Sequence, residues 1–135
     1  MADPKGPQVA IMRSMLGRAR GLGAAKSGTA HWWSMKATSL ALIPLTLWLL
    51  ASVIGLIGQP RTAVAARVAG PVTATLLLAT IAALFHHLYL GVQTVIEDYI
   101  HRERPRMAWL LLLKGATVLL ALAAAVSVLK LAFRG

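Results

Sequence analysis

Three long apolar stretches restrict what this sequence can fold into. The first covers residues 37–58 and holds no charged side chain. The second covers 71–96, where His86 and His87 are the only acidic or basic groups. The third covers 107–133 and carries Lys114 and Lys130. A helix rises 1.5 Å per residue and needs about 20 residues to cross the hydrocarbon core of a bilayer. Buried helices of a soluble bundle would keep a polar stripe along one side, and these stretches keep none. The expectation is an all-α integral membrane protein with three transmembrane helices, the second reaching residue 99. Pro44 falls inside the first span and should kink it, which neighbouring helices make tolerable.

Composition agrees. Hydrophobic residues make up 58% and charged residues 13% of the 135, about half the usual charged share. That excludes a disordered chain and leaves too little polar side chain to cover a soluble domain. With no cysteine, there is no disulfide framework and no thiolate metal site. The net charge of +10 would suggest nucleic acid in a soluble protein. Beside three spans it points instead to anionic lipid head groups and to topology, with no nucleic-acid partner.

Residues 1–36 form a basic N-terminal surface segment ahead of a membrane domain at 37–135. The segment holds six Lys or Arg against one acid, Asp3. Its glycines interrupt any long helix, and Ile11, Met12, Met15 and Leu16 could line one apolar face of a short interfacial helix. No apolar core of a secretory signal lies near the start. Residues 59–70, with Pro60, Arg61 and Arg67, read as an external loop, and 101–106 as a tight polar turn. With three spans, the N-terminal segment and that turn share one side, which carries nine Lys or Arg against four on the other. The positive-inside rule puts the N-terminus in the cytoplasm of a bacterium, or less favourably in a mitochondrial matrix, and the C-terminus outside. Trp32, Trp33 and Trp109 then anchor at the inner interface. Lys114 snorkels back to that interface or pairs with a partner subunit.

The second span carries the chemistry. At 100° per residue, His87, Gly91, Thr94 and Asp98 share one face. A polar ridge in a lipid-embedded helix faces protein, cofactor or water. His87 is either a ligand or a hydrogen-bonding partner of another helix. Gly91 either admits a flat cofactor close to the backbone or lets helices pack. His86 points about 100° away and cannot ligate the same metal. At the inner end, Glu97, Asp98 and Tyr99 read as a solvated helix end or as a proton-handling site. In the second case a tyrosine hydroxyl donates to a carbonyl beside a carboxylate. No nucleophile–base set or phosphate loop supports a soluble catalytic reading.

The run His87-Leu88-Tyr89-Leu90-Gly91 followed by Asp98-Tyr99 resembles the small hydrophobic membrane-anchor subunits of succinate dehydrogenase, respiratory complex II. So does His31-Trp32-Trp33 followed by Lys36 shortly before the first span. The resemblance covers nearly the whole chain from His31 onward. It implies a haem b shared between two anchor subunits, with His87 as an axial ligand and Gly91 beside it. It also implies His31 and Lys36 near a haem propionate, where lysine replaces the more usual arginine. Tyr99 would donate a hydrogen bond to ubiquinone, with Asp98 lining the same region. Implied partners are a larger cytochrome b anchor subunit, an iron–sulfur subunit and a flavoprotein subunit. Two alternatives stand beside this reading: a cofactor-bearing anchor of a fumarate reductase or other respiratory complex, and a haem-free accessory subunit.

Overall fold

The computed structural model describes residues 27–134, which form four helices and no strand. Helix α1 spans Ser27–Ile54, α2 Arg61–Ala69, α3 Pro71–Tyr99 and α4 Glu103–Arg134. Three of them, α1, α3 and α4, are long and apolar enough to cross a membrane. Residues 1–26, including the short apolar face expected at Ile11 to Leu16, lie outside the described residues.

Helix α1 begins at Ser27 and passes through residue 37 without a break. No Gly or Pro occurs between Gly28 and Pro44, so nothing stops the helix at the edge of the apolar run. Its 28 residues extend about 42 Å, beyond the roughly 30 Å of the hydrocarbon core. The surplus turns carry Trp32 and Trp33, which stack at 5.5 Å between ring centroids. The helix continues through Pro44, whose missing N–H leaves the Leu40 carbonyl without its helical donor.

α1 ends at Ile54, short of the residue 58 expected from hydropathy. The chain tightens into shorter-range bonds, Leu56 N–H to the Val53 carbonyl at 3.0 Å and Ile57 N–H to that of Ile54 at 3.2 Å. Gly58 then takes φ +77°, a left-handed conformation that costs other residues about 1–2 kcal/mol.

The segment expected as an external loop contains a helix. Its sequence RTAVAARVA is rich in alanine, the best helix former. Nine residues are too few to hold a helix alone, and α2 gains support by packing on α3 and α4. Arg61 and Arg67 remain exposed. Gly70 caps α3 and Pro71 occupies its first position, where no N–H is needed. α4 starts at Glu103 rather than at residue 107, with an acid in the first turn that complements the helix dipole.

α3 is the central element. It packs against α1 on one side and α4 on the other, while α1 and α4 make no close contact. The result is an open layer and not a closed bundle. Consequently almost nothing is buried: Leu90 is 5% exposed, Thr80 5% and Thr117 7%. Both threonines turn their hydroxyls onto their own helix, donating to the Leu76 carbonyl at 2.7 Å and that of Leu113 at 2.8 Å. Each is thereby satisfied without a partner across the interface, and its small size lets the helices approach. Leu40, Ile43, Leu47 and Leu50 on α1 are all more than half exposed, as suits a face toward lipid or another subunit.

The turn after α1 has a direct test. Gly58→Ala should destabilise the chain by about 1–2 kcal/mol, and Gly58→Asn by less, because asparagine tolerates the left-handed region. Detergent-induced unfolding followed by far-UV circular dichroism measures both. Equal effects of the two substitutions would mean that backbone strain is not the cause.

Candidate functional site

Two hydrogen-bonded pairs cross the seam between α1 and α3. His31 Nε2 lies 3.3 Å from the Thr94 hydroxyl oxygen. His87 Nδ1 lies 3.0 Å from the Thr38 hydroxyl oxygen. The helices run antiparallel, so the seven-residue step from His31 to Thr38 on α1 matches the step back from Thr94 to His87 on α3. Seven residues are two turns, about 10.5 Å. Each helix contributes one histidine and one threonine, and a single register satisfies both pairs. The expected polar face of α3 therefore meets α1 at His87 and Thr94.

Gly91 lies between these two α3 residues. A Cβ placed on it would meet no atom within 4 Å. Close packing inside this chain thus gives glycine no purpose at position 91. Space remains open beside His87, itself half-buried.

His86 occupies a different side of α3. It lines a cleft of ≈ 340 Å³ with Phe85 and Tyr89 from α3 and Lys114 and Thr117 from α4. The adjacent histidines thus face opposite neighbours, as their 100° offset requires. Lys114 is exposed in that cleft.

The remaining candidates cluster at one end of the layer. Asp98 and Tyr99 close α3, and Tyr99 is 80% exposed. They lie about 16–18 Å along the helix from His87. Nearby, the Glu97 carboxylate accepts a bond from the Gln93 amide at 2.8 Å. Lys36 is exposed, and its ammonium lies 5.8 Å from the centroid of the Trp32 ring, a cation–π distance. His31 bonds α3, whereas Lys36 lies exposed beside Trp32 on α1.

No cluster of three or more His, Asp or Glu among the described residues could hold a metal ion. The structure adds one residue that the sequence reading passed over, Thr38. Its signal was present in the spacing, since a threonine stands seven residues after each of the two histidines, at 38 and at 94.

Comparison with known proteins finds membrane anchor subunits of succinate dehydrogenase. The succinate dehydrogenase hydrophobic membrane anchor subunit of Rickettsia bellii (strain RML369-C) is 29% identical over 116 residues, covering 86% of this chain and 93% of that relative. The succinate dehydrogenase membrane anchor subunit of Reclinomonas americana is 29% identical over 92 residues, 66% of this chain and 77% of that protein. The hydrophobic membrane anchor subunit of Rickettsia conorii (strain ATCC VR-613 / Malish 7) is also 29% identical, over 90 residues, 66% of this chain and 71% of its own length. No solved structure matches. The family described as succinate dehydrogenase/fumarate reductase transmembrane subunit matches residues 11–129. With that span and three membrane-crossing helices, the chain belongs to the succinate dehydrogenase/fumarate reductase transmembrane subunit family, as a multi-pass membrane anchor.

Proposed function

We propose that this anchor joins a larger cytochrome b subunit, an iron–sulfur subunit and a flavoprotein in the inner membrane of a bacterium. There it helps to pass electrons from the iron–sulfur subunit to ubiquinone, and it supplies one ligand to a haem b. The observation that carries this reading is the state of His87. Its Nδ1 is engaged by Thr38, its Nε2 takes no part in that bond, and Gly91 leaves open space one turn away. A histidine oriented through one ring nitrogen, with room at the other, has the build of a haem ligand. The residues present thus fit the group.

Haem, when bound, supplies one-electron redox chemistry between the iron–sulfur subunit and the quinone. This chain's own part is to hold, orient and donate. Ubiquinone reduction takes two electrons and two protons. The Tyr99 hydroxyl, exposed at the end of α3, donates a hydrogen bond to a quinone carbonyl. Asp98 beside it provides a carboxylate for proton delivery from the aqueous side. Residues from other subunits complete the pocket. The basic N-terminal segment and the arginines at 102, 104 and 106 support a cytoplasmic location for this end, where the iron–sulfur subunit docks.

Tyr99→Phe removes one hydrogen bond to the quinone, worth about 1–1.5 kcal/mol. Ubiquinone reductase activity should fall about tenfold, while assembly and dye reduction by the soluble subunits persist. Unchanged quinone turnover would remove Tyr99 from the site.

His87→Ala should abolish the haem absorbance of the purified complex, whereas His86→Ala should largely retain it. Loss of haem in the His86 variant alone would reverse the assignment within the pair.

For orientation, a reporter fused after Gly135 should be active on the outer face and one inserted at Arg104 on the cytoplasmic face. The reverse pattern would put Tyr99 on the wrong side for the iron–sulfur subunit.

A further inference from the structure

We propose that Thr38 is a positioning residue for haem ligation: its hydroxyl oxygen accepts the Nδ1 proton of His87 and so fixes the tautomer, ring orientation and electron density of the ligand. The inference rests on the proposed ligation by His87.

A single proton decides between two arrangements. The Thr38 hydroxyl lies 2.8 Å from the Ser34 carbonyl oxygen, 3.1 Å from that of Met35 and 3.0 Å from His87 Nδ1. A hydroxyl carries one hydrogen and two acceptor lone pairs. If it donates to Ser34, the short bond within its own helix, its oxygen is free to accept from His87 Nδ1–H. Both contacts are then made. If it donates to Nδ1 instead, the Ser34 contact loses its proton and His87 carries its own on Nε2. In an apolar membrane interior that leaves an N–H without a protein partner among the described residues, a costly outcome. The first arrangement makes one more hydrogen bond from the same atoms and is favoured. It leaves the Nε2 lone pair unprotonated, which is what a metal requires.

The same bond sets more than the tautomer. α1 carries Thr38, so the ring plane of a ligand on α3 is fixed by a neighbouring helix as well as by its own rotamer. An imidazole that donates through Nδ1 is more electron-rich at Nε2, and this favours the oxidised iron. The second pair, His31–Thr94, holds the register two turns away. Removal of the Thr38 hydroxyl therefore leaves the seam one of its two pins.

The test uses the complete membrane complex. Thr38→Val keeps the side-chain shape and removes the acceptor. Outer-shell changes of this kind cost about 10–100-fold in metal affinity, so haem should dissociate from the valine variant about 10–100-fold more readily, read by haem transfer to a scavenging apoprotein. The midpoint potential of the retained haem should move to more positive values, and its low-spin electron paramagnetic resonance signal should shift or broaden. Thr38→Ser keeps the hydroxyl and should restore all three properties. Thr38→Cys, with only a weak acceptor, carries the expectation of the valine variant and replaces it if the latter does not assemble. Wild-type haem retention, potential and spectrum in the valine variant, alongside loss of haem in His87→Ala, would overturn the role of Thr38 and leave the ligand assignment standing. Equal impairment of the serine and valine variants would also overturn it, because the hydroxyl would then not be the cause. Retention of haem in His87→Ala would remove the ligand and the inference with it.

Discussion

The α1–α3 register is the constraint on which the rest of the site depends. Two polar pairs, His31–Thr94 and Thr38–His87, are satisfied together. Interhelical hydrogen bonds in membranes contribute about 0.6 kcal/mol each on average, so two of them do not drive helix association. Their effect is selective. Sliding one helix by a turn against the other would break both pairs at once and leave both histidine rings without these partners, while the threonine hydroxyls keep the bonds within their own helices. Small energies decide register because the competing arrangements differ in little else: from Leu40 onward α1 is mostly leucine, isoleucine and other apolar residues.

That sameness has a cause in the solvent. Between helices in lipid there is no hydrophobic driving force of the aqueous kind, and this chain does not build a core. Leu90 is the one buried apolar side chain among the described residues. The open layer, with α3 flanked by α1 and α4, leaves broad apolar faces on each helix. Lipid covers such faces as well as a partner subunit does, so their exposure alone does not mark an interface. Polar features do. Open space next to Gly91 and the cleft around His86 and Lys114 lie on different sides of α3, and only the first adjoins a histidine held by a neighbouring helix.

How far the sequence could be read follows from the same physics. Hydropathy located three spans, because the cost of placing charge in hydrocarbon is large and leaves a long apolar run. It located their ends poorly. α1 already covers the residues ahead of 37, because interfacial residues such as His31 and Lys36 continue a helix that hydropathy does not count. The helix at Arg61–Ala69 was read as a loop because its arginines and its flanking Pro60 and Gly70 are loop signals, and its support comes from tertiary packing. At the site, helical periodicity placed His87 and Thr94 on one face of α3. It could not place Thr38, which belongs to another helix and meets His87 only once the register is known.

The adjacency of His86 and His87 carries a final consequence for assembly. Neighbouring positions on one helix point about 100° apart, and here they face different neighbours. His31 does not supply a second imidazole beside His87, since it is bonded to Thr94 two turns away. On the proposed reading this chain would offer one histidine to the haem, and a second ligand would come from a different subunit. Haem would then bind the assembled pair better than either anchor alone, since by linkage whatever binds only the assembled state stabilises it. Cofactor retention and subunit association become one equilibrium. The open space beside Gly91, next to the His87 ring that Thr38 holds, is where such a subunit would have to approach.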